Sequence, residues 1–446
     1  MITRTAVTFK NINKLAIPAT ISGIAEPVLS ITDTAIVGNI PVDGLESLAA
    51  AGIVGSFLSM LIWALGQTRS AISAIISQYL GAGRIQVVED LPAQAIFLNL
   101  LLSLVVLGST IFIVDDIFRL FEASGKILDY CISYYSIRVW GFPLTLFTFA
   151  IFGIFRGLQN TFYPMIIAVV GAGLNIILDF VLVYGIEGFV PAMYLEGAAW
   201  ASLISQGVMA IMVFFLLKRK TRISLRLRVP LNKELKRLVY MSLNLFVRTL
   251  ALNVALIIAV REATSLGDRF IGAHTIAINL WLFAAFFIDG YAAAGNSMAG
   301  KLLGAKDYNG LWTLAKKILA YGMVVSFALM VAGFLFYQPL GRIFSNEAIV
   351  LSTFYSVFYL VIIGLPVNTI AFLFDGIFKG LGEMKYLRNV LLMATFLGFV
   401  PTLYIGKALG WGFYAIWIAF LVWMMVRGGA LVWKFHRKFS PLLQKT

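Results

Sequence analysis

The sequence predicts an all-α integral membrane protein, with twelve transmembrane helices in two pseudo-symmetric lobes of six. Three observations lead there. Apolar runs of about twenty residues or more recur along the 446-residue chain, separated by short charged loops. Lys and Arg gather in alternate loops. The second half also repeats pieces of the first at an offset of 223 residues.

Composition agrees. The chain is 60% hydrophobic and 13% charged, outside the range of soluble globular proteins. The period-two alternation of a transmembrane barrel is missing. The formal charge of +14 raises the question of nucleic acid, but its placement answers it. The densest basic run, from Lys218-Arg219-Lys220 through Arg228 to Lys236-Arg237, lies between two apolar spans. Such a run is an orientation signal, with anionic lipid as a secondary partner; no nucleic-acid partner is expected. A single cysteine, Cys131, excludes an intrachain disulfide. The first apolar run is too long and polar for a cleaved signal, so it is expected to stay as a span.

In order, the spans are expected near 12–39, 46–80, 90–115, 127–155, 161–186 and 195–218, then 234–264, 270–303, 309–338, 348–379, 384–408 and 411–435. With the N-terminus inside, the inside segments carry about 25 Lys and Arg. The outside loops carry only Arg119, Lys126, Arg261, Arg269, Arg342 and Lys407. Both termini are therefore expected in the cytoplasm. The repeat pairs Leu80-Gly81-Ala82 with Leu303-Gly304-Ala305, and Gly141-Phe142-Pro143 with Gly364-Leu365-Pro366. It also pairs Gly153 to Leu158 with Gly376 to Leu381. Six spans per half keep the orientation, so the halves relate by an axis along the membrane normal. Residues 1–217 form the first lobe, 218–237 a basic linker and 238–446 the second lobe. Gly153/Gly157 and Gly376/Gly380 read as small-residue packing pairs, and Arg156 and Lys379 as anchors at the inside edge.

The first span carries Glu26, Pro27 and Asp33. A carboxylate at bilayer depth costs about 2.5–3.5 kcal/mol on insertion scales, so it stays where it faces a cavity, finds a partner or carries protons. Pro27 removes a helix hydrogen bond and marks a bend. In the fifth span Asn175 and Asp179 lie four residues apart, on one helix face. Convergence of Asp33, Asn175 and Asp179 would form an oxygen site for a proton or sodium, in which both acids would not ionise easily. The alternative is that each acid pairs with a fixed arginine, such as Arg69 or Arg138, and only orients the fold. Glu26, on nearly the same face as Asp33, is a candidate for proton entry or for a hydrogen bond within the bundle. At the repeat offset Asp33 falls on Leu256 and Asp179 on Thr402, so the trio is not duplicated. The second half has Arg248, Asp289 and Asp375 instead, read either as a coupling site or as an ion pair holding spans together. His274 reads as an interfacial packing residue.

These pieces resemble the multidrug and toxic compound extrusion (MATE) transporters, and within them the DinF-like branch. The resemblance rests on PATISGIAEPVLSITDTAIVG, SQYLGAGR, FRGLQNTFYP, LNIILDFVLVYG, FFIDGYAAAGNSMAGKLLGAKD and FLFDGIFKGLGEMKYLRN, in that order along nearly the whole chain. It implies that Asp33, Asn175 and Asp179 form the cation site of the first lobe, that Ser202 completes it, and that Pro27 is the bend residue. It also makes Asp289 and Asp375 secondary coupling candidates. The implied protein is no enzyme. It is a monomeric antiporter of the cytoplasmic membrane that exports amphipathic or cationic organic compounds around a central cavity. It needs no cofactor; the coupling ion is a proton or sodium, and sodium is the only metal expected. The other architecture-compatible reading is a lipid-linked oligosaccharide flippase, which would want more intramembrane arginine than Arg69, Arg138 and Arg248 supply.

Overall fold

A computed structural model describes residues 6–221 and 223–443, with the side chain of Glu26 outside the described residues. Sixteen α-helices account for almost all of it: α1 (Phe9–Gly38), α2 (Gly44–Leu65), α3 (Thr68–Gly81), α4 (Leu91–Ile111), α5 (Val114–Leu120), α6 (Gly125–Arg138), α7 (Gly141–Gly157), α8 (Phe162–Tyr184), α9 (Tyr194–Lys220), α10 (Glu234–Leu266), α11 (Asp268–Gly304), α12 (Tyr308–Phe344), α13 (Ala348–Gly380), α14 (Met384–Met393), α15 (Val400–Ala408) and α16 (Tyr414–Phe439). Among the described residues no strand forms beyond an isolated bridge between Ile186 and Val190. Among the described residues eleven helical segments are long and apolar enough to cross a membrane, or twelve if α6 and α7, bent by 46° where they meet, count as one span.

That bend falls within the span expected near 127–155. The cause is Pro143, in the first turn of α7. Its ring has no N–H and crowds the carbonyl four residues back, at Val139, where α6 stops. Pro366, its repeat counterpart, lies inside α13, which continues past it. Pro339 acts in α12 as Pro143 does, and the helix leaves helical geometry at Phe336. The helix α1 runs through Pro27 without a break in its assignment.

The chain gathers into two compact units. One comprises Ile21–Ile76 and Arg84–Val239. Its core is aromatic: the Phe118 ring meets Phe57 at 6.0 Å and Tyr135 at 5.4 Å, joining α2, α5 and α6. Gly197 lets α9 approach the Leu182 carbonyl of α8, where an added Cβ would come within 2.5 Å. Tyr184 Oη, at the end of α8, donates to the Ile36 carbonyl of α1 at 2.9 Å. The basic linker is held to the start of α4. Gln94 donates to the Arg228 carbonyl at 3.2 Å and accepts from the Asn232 amide at 2.9 Å.

The other unit comprises Met1–Thr20, Ser77–Gly83 and Tyr240–Thr446. Trp281, Phe399, Phe420 and Trp423 centre its core. Trp423 Nε1 donates to Thr395 Oγ1 at 3.1 Å, within a π-helical turn over Ala394–Phe399. Lys317 Nζ donates to the Val7 carbonyl at 2.6 Å and Tyr291 Oη to Asn13 Oδ1 at 2.8 Å, fixing the start of α1. His274 is buried against Trp417 and Phe420.

Glycine contacts carry the repeat into three dimensions. An added Cβ on Gly153 would come within 2.5 Å of the Arg69 carbonyl, and one on Gly376 within 2.2 Å of the Ala292 carbonyl. Arg69 and Ala292 are separated by the same 223 residues as the two glycines. Thus α7 packs on α3 as α13 packs on α11. Around Ser77–Gly83 the equivalents meet reciprocally: Gly81 abuts the Lys301 carbonyl and Gly304 abuts the Gln78 carbonyl. Reciprocal contact between equivalent positions is what a two-fold relation produces.

Candidate functional site

Two helices, α1 and α8, bring Asp33, Asn175 and Asp179 together. Asn175 and Asp179 face inward on α8, one turn apart and 1% and 0% exposed. Asn175 Nδ2 donates to Asp179 Oδ2 at 3.1 Å. The side chain of Asp33 on α1 lies near enough to Asp179 for the two carboxyls to interact. The Tyr184–Ile36 bond helps to set that register, since Ile36 is one turn beyond Asp33 and Tyr184 lies beyond Asp179 on α8. Oδ1 of Asp33 and Oδ1 of Asp179 are both buried without a hydrogen-bond partner. Two bare carboxylates this near each other would repel in a weakly screening medium, a repulsion that the nearby Arg138 offsets in part.

The neighbours refine this picture. Arg138 of α6 acts electrostatically on both acids, and its guanidinium carbon lies 5.8 Å from the centroid of the Tyr134 ring. Among the described residues, however, no ion pair within 4.0 Å joins Arg138 or Arg69 to either acid. Arg69 instead lies over the Phe149 ring at 4.7 Å. Ser202 is buried on α9, which packs against α8, and makes no hydrogen bond to the acids. Glu26 lies on α1, but its side chain is outside the described residues. Tyr134, buried and coupled electrostatically to Asp33, Asp179 and Arg138, is a member of the site that the sequence reading missed. A tyrosine in a mixed helix gives no periodic signal that separates it from ordinary core.

The other unit holds a second polar cluster, built on Asp375 of α13. Asp375 Oδ1 accepts from Arg248 Nη2 of α10 at 2.5 Å and lies 3.5 Å from Arg427 Nη2 of α16. Asp375 Oδ2 lies 3.0 Å from Lys379 Nζ, one turn on in α13. Lys379 therefore turns inward, a correction to its reading as an edge anchor: a buried acid at i−4 is within its reach and offers a stronger partner than the headgroup zone. Asp289 of α11 is exposed and acts electrostatically on Lys379 and Arg427. The sequence reading found Arg248, Asp289 and Asp375 but missed Arg427. A basic residue near the end of the last span looks like any inside anchor until its burial, 2% exposed, is known.

With this geometry in hand, comparison with known proteins is direct. The MatE family profile matches residues 18–181 and 245–404, most of the chain and both halves of the repeat. Similar proteins include DETOXIFICATION 43 of Arabidopsis thaliana, 29% identical over 72% of this chain and 62% of that protein, so the chain spans less than two thirds of that plant relative. DNA damage-inducible protein F of Escherichia coli is 27% identical over 95% of this chain and 91% of its own length. Two solved MATE structures, described as the bent and the straight conformation, superpose with TM-scores of 0.88 at 24% and 23% identity, each covering 97% of this chain and 96% of theirs. They show that the fold is shared. The chain belongs to the MatE family, whose members are multi-pass membrane transporters and not enzymes.

Proposed function

We propose that this protein is a cation-coupled antiporter of the cytoplasmic membrane, with both termini inside. It exports amphipathic organic compounds, cationic ones among them, as a monomer in contact with membrane lipid. The convergence of Asp33, Asn175 and Asp179, with one unpartnered oxygen on each acid, carries the reading.

The coupling follows from charge. A proton or sodium ion entering between Asp33 and Asp179 cancels their repulsion and removes a demand for hydrogen bonds. One charge moving inward down 100 mV supplies roughly 2.3 kcal/mol, and a concentration gradient adds to it. Pro27 leaves the carbonyl four residues earlier without its helix donor, so α1 is weakest six residues before Asp33. Loading the site can then shift α1 between two shapes, provided the ion binds one shape better. Similar folds among the solved MATE proteins are described as bent and straight.

The test is dye efflux from proteoliposomes with pH and sodium gradients imposed separately. Efflux driven by either gradient supports antiport. Efflux indifferent to both contradicts it. Lipid-linked saccharide flipping remains the second reading, because Arg427 adds a buried guanidinium beside Arg248 that could meet a pyrophosphate. Flipping of a lipid-linked saccharide without any ion gradient would favour it.

A further inference from the structure

We propose that Arg248, Lys379 and Arg427 form an oxyanion subsite, which takes the carboxylate, sulfonate or phosphate group of an organic substrate. The inference deepens the transport reading above, on which it rests, by naming a substrate chemistry that the first-lobe acids cannot attract.

Three cationic side chains from α10, α13 and α16 meet a single buried carboxylate, Asp375. Among the described residues Asp289 is the other acid acting on Lys379 and Arg427, and it is exposed. Positive charge therefore exceeds negative charge in a buried setting, which is costly unless an anion joins it. The donors are in surplus too. Arg427 Nη2 lies 3.5 Å from Asp375 without a hydrogen bond, and Arg427 Nη1 has only the Met424 sulfur at 3.5 Å. Arg248 Nε is also buried and unpartnered. Both guanidiniums are more than nine-tenths buried. A structural ion pair would use one cation per acid and leave no buried donors over.

The cluster also has an open side. The Lys379 side chain is 18% exposed and Asp289 lies at the surface of α11, whereas Arg427 is deep. An oxyanion arriving past Lys379 meets Arg248 and Arg427 as planar donors suited to two-oxygen recognition. Arg427 is held for this by the faces of Phe372 and Trp423, each 5.5 Å from its guanidinium carbon. Trp423 is fully buried, and the half-buried Phe372 is the one of the two that offers apolar surface to an amphiphile carrying such a group.

Fluorescein and rhodamine 123 share a ring system and differ in charge, so they probe the site. Binding of both dyes to the full-length protein in nanodiscs is measured by anisotropy, with inorganic phosphate as competitor. Arg427→Gln should weaken fluorescein binding about tenfold and leave rhodamine 123 within about twofold, while Arg427→Lys restores part of the loss. Lys379→Gln, at the more exposed edge, should show the same selectivity and serves if Arg427→Gln does not fold. Displacement of fluorescein by phosphate points to recognition of the oxyanion alone. Failure of phosphate to compete, with fluorescein still sensitive to Arg427, points to an amphiphile whose ring and acid bind together. Equal losses for both dyes, or no change for either, overturn the proposal. Asp33→Asn separates the two readings: it should stop ion-driven efflux of both dyes and spare fluorescein binding. If Asp33→Asn leaves efflux untouched while the Arg427 selectivity holds, the antiport reading fails and the subsite stands.

Discussion

Asn175 Nδ2 donates to Asp179 Oδ2 at 3.1 Å and leaves Oδ1 of the same carboxyl without a partner. The amide thus fixes the carboxyl plane and keeps one oxygen for an ion. Replacing Asn175 with Leu keeps the bulk and removes the donor. It should lower the proton concentration for half-maximal efflux about tenfold, because a hydrogen bond donated to the ionised carboxyl favours the unloaded state. Maximal efflux at saturating cation should change little. A lowered maximum with unchanged half-saturation would mean that Asn175 serves packing instead.

Pro27→Ala restores a backbone donor to the middle of α1. Proline costs about 3 kcal/mol inside an isolated helix, so the variant should unfold at a higher temperature in detergent. If bending at this point drives export, efflux should fall about tenfold while the cation still binds. Efflux at the parent rate would remove Pro27 from the mechanism.

The glycines that pack α7 on α3 and α13 on α11 tolerate no added carbon without movement. Gly153→Ala and Gly376→Ala each place a methyl within 2.5 Å of a backbone carbonyl, at Arg69 and Ala292. Each should lose about 1–3 kcal/mol of stability, read as a fall in unfolding temperature. Gly52→Ala has open space around the new Cβ and should change little.

Asp43, in the loop before α2, accepts hydrogen bonds from Tyr130 Oη at 2.8 Å and from Lys126 Nζ at 3.1 Å. The Tyr130 hydroxyl first, and Lys126 second, hold its carboxyl below the ordinary value of 3.8. A depressed carboxyl adds stability above its unfolded pKa and loses it as pH falls through the folded one. The contribution should be complete above a pH of about 4 and fade below it. Asp43→Asn should flatten the acid side of a thermal stability profile by lowering the neutral-pH plateau toward the acid value, and leave stability well below a pH of about 4 nearly untouched.

The scaffold was legible because membrane physics leaves few choices: long apolar runs, loop charge and a half-chain repeat fix spans and symmetry. The grouping of Asp33, Asn175 and Asp179 was legible for a related reason. Asp33 and Asp179 are costly where they stand, and Asn175 lies one turn from Asp179. What stayed hidden depends on where a side chain turns. Pro143 breaks a span and Pro366 does not, though both occupy the same repeat position. Lys379 and Arg427 sit at span ends, where anchoring and inward pairing read alike in sequence, and only packing on Asp375 separates them. Tyr134 joins the acid pair through tertiary placement alone.

The account stands on a single positive ion shared by Asp33 and Asp179. Rhodamine 123 efflux from proteoliposomes, driven by an imposed pH or sodium gradient, tests this most directly in Asp33→Asn and Asp179→Asn. The sharing of one ion predicts that each variant alone loses gradient-driven efflux while keeping its folded stability and its dye binding. Parent-level efflux from both variants under either gradient would contradict it.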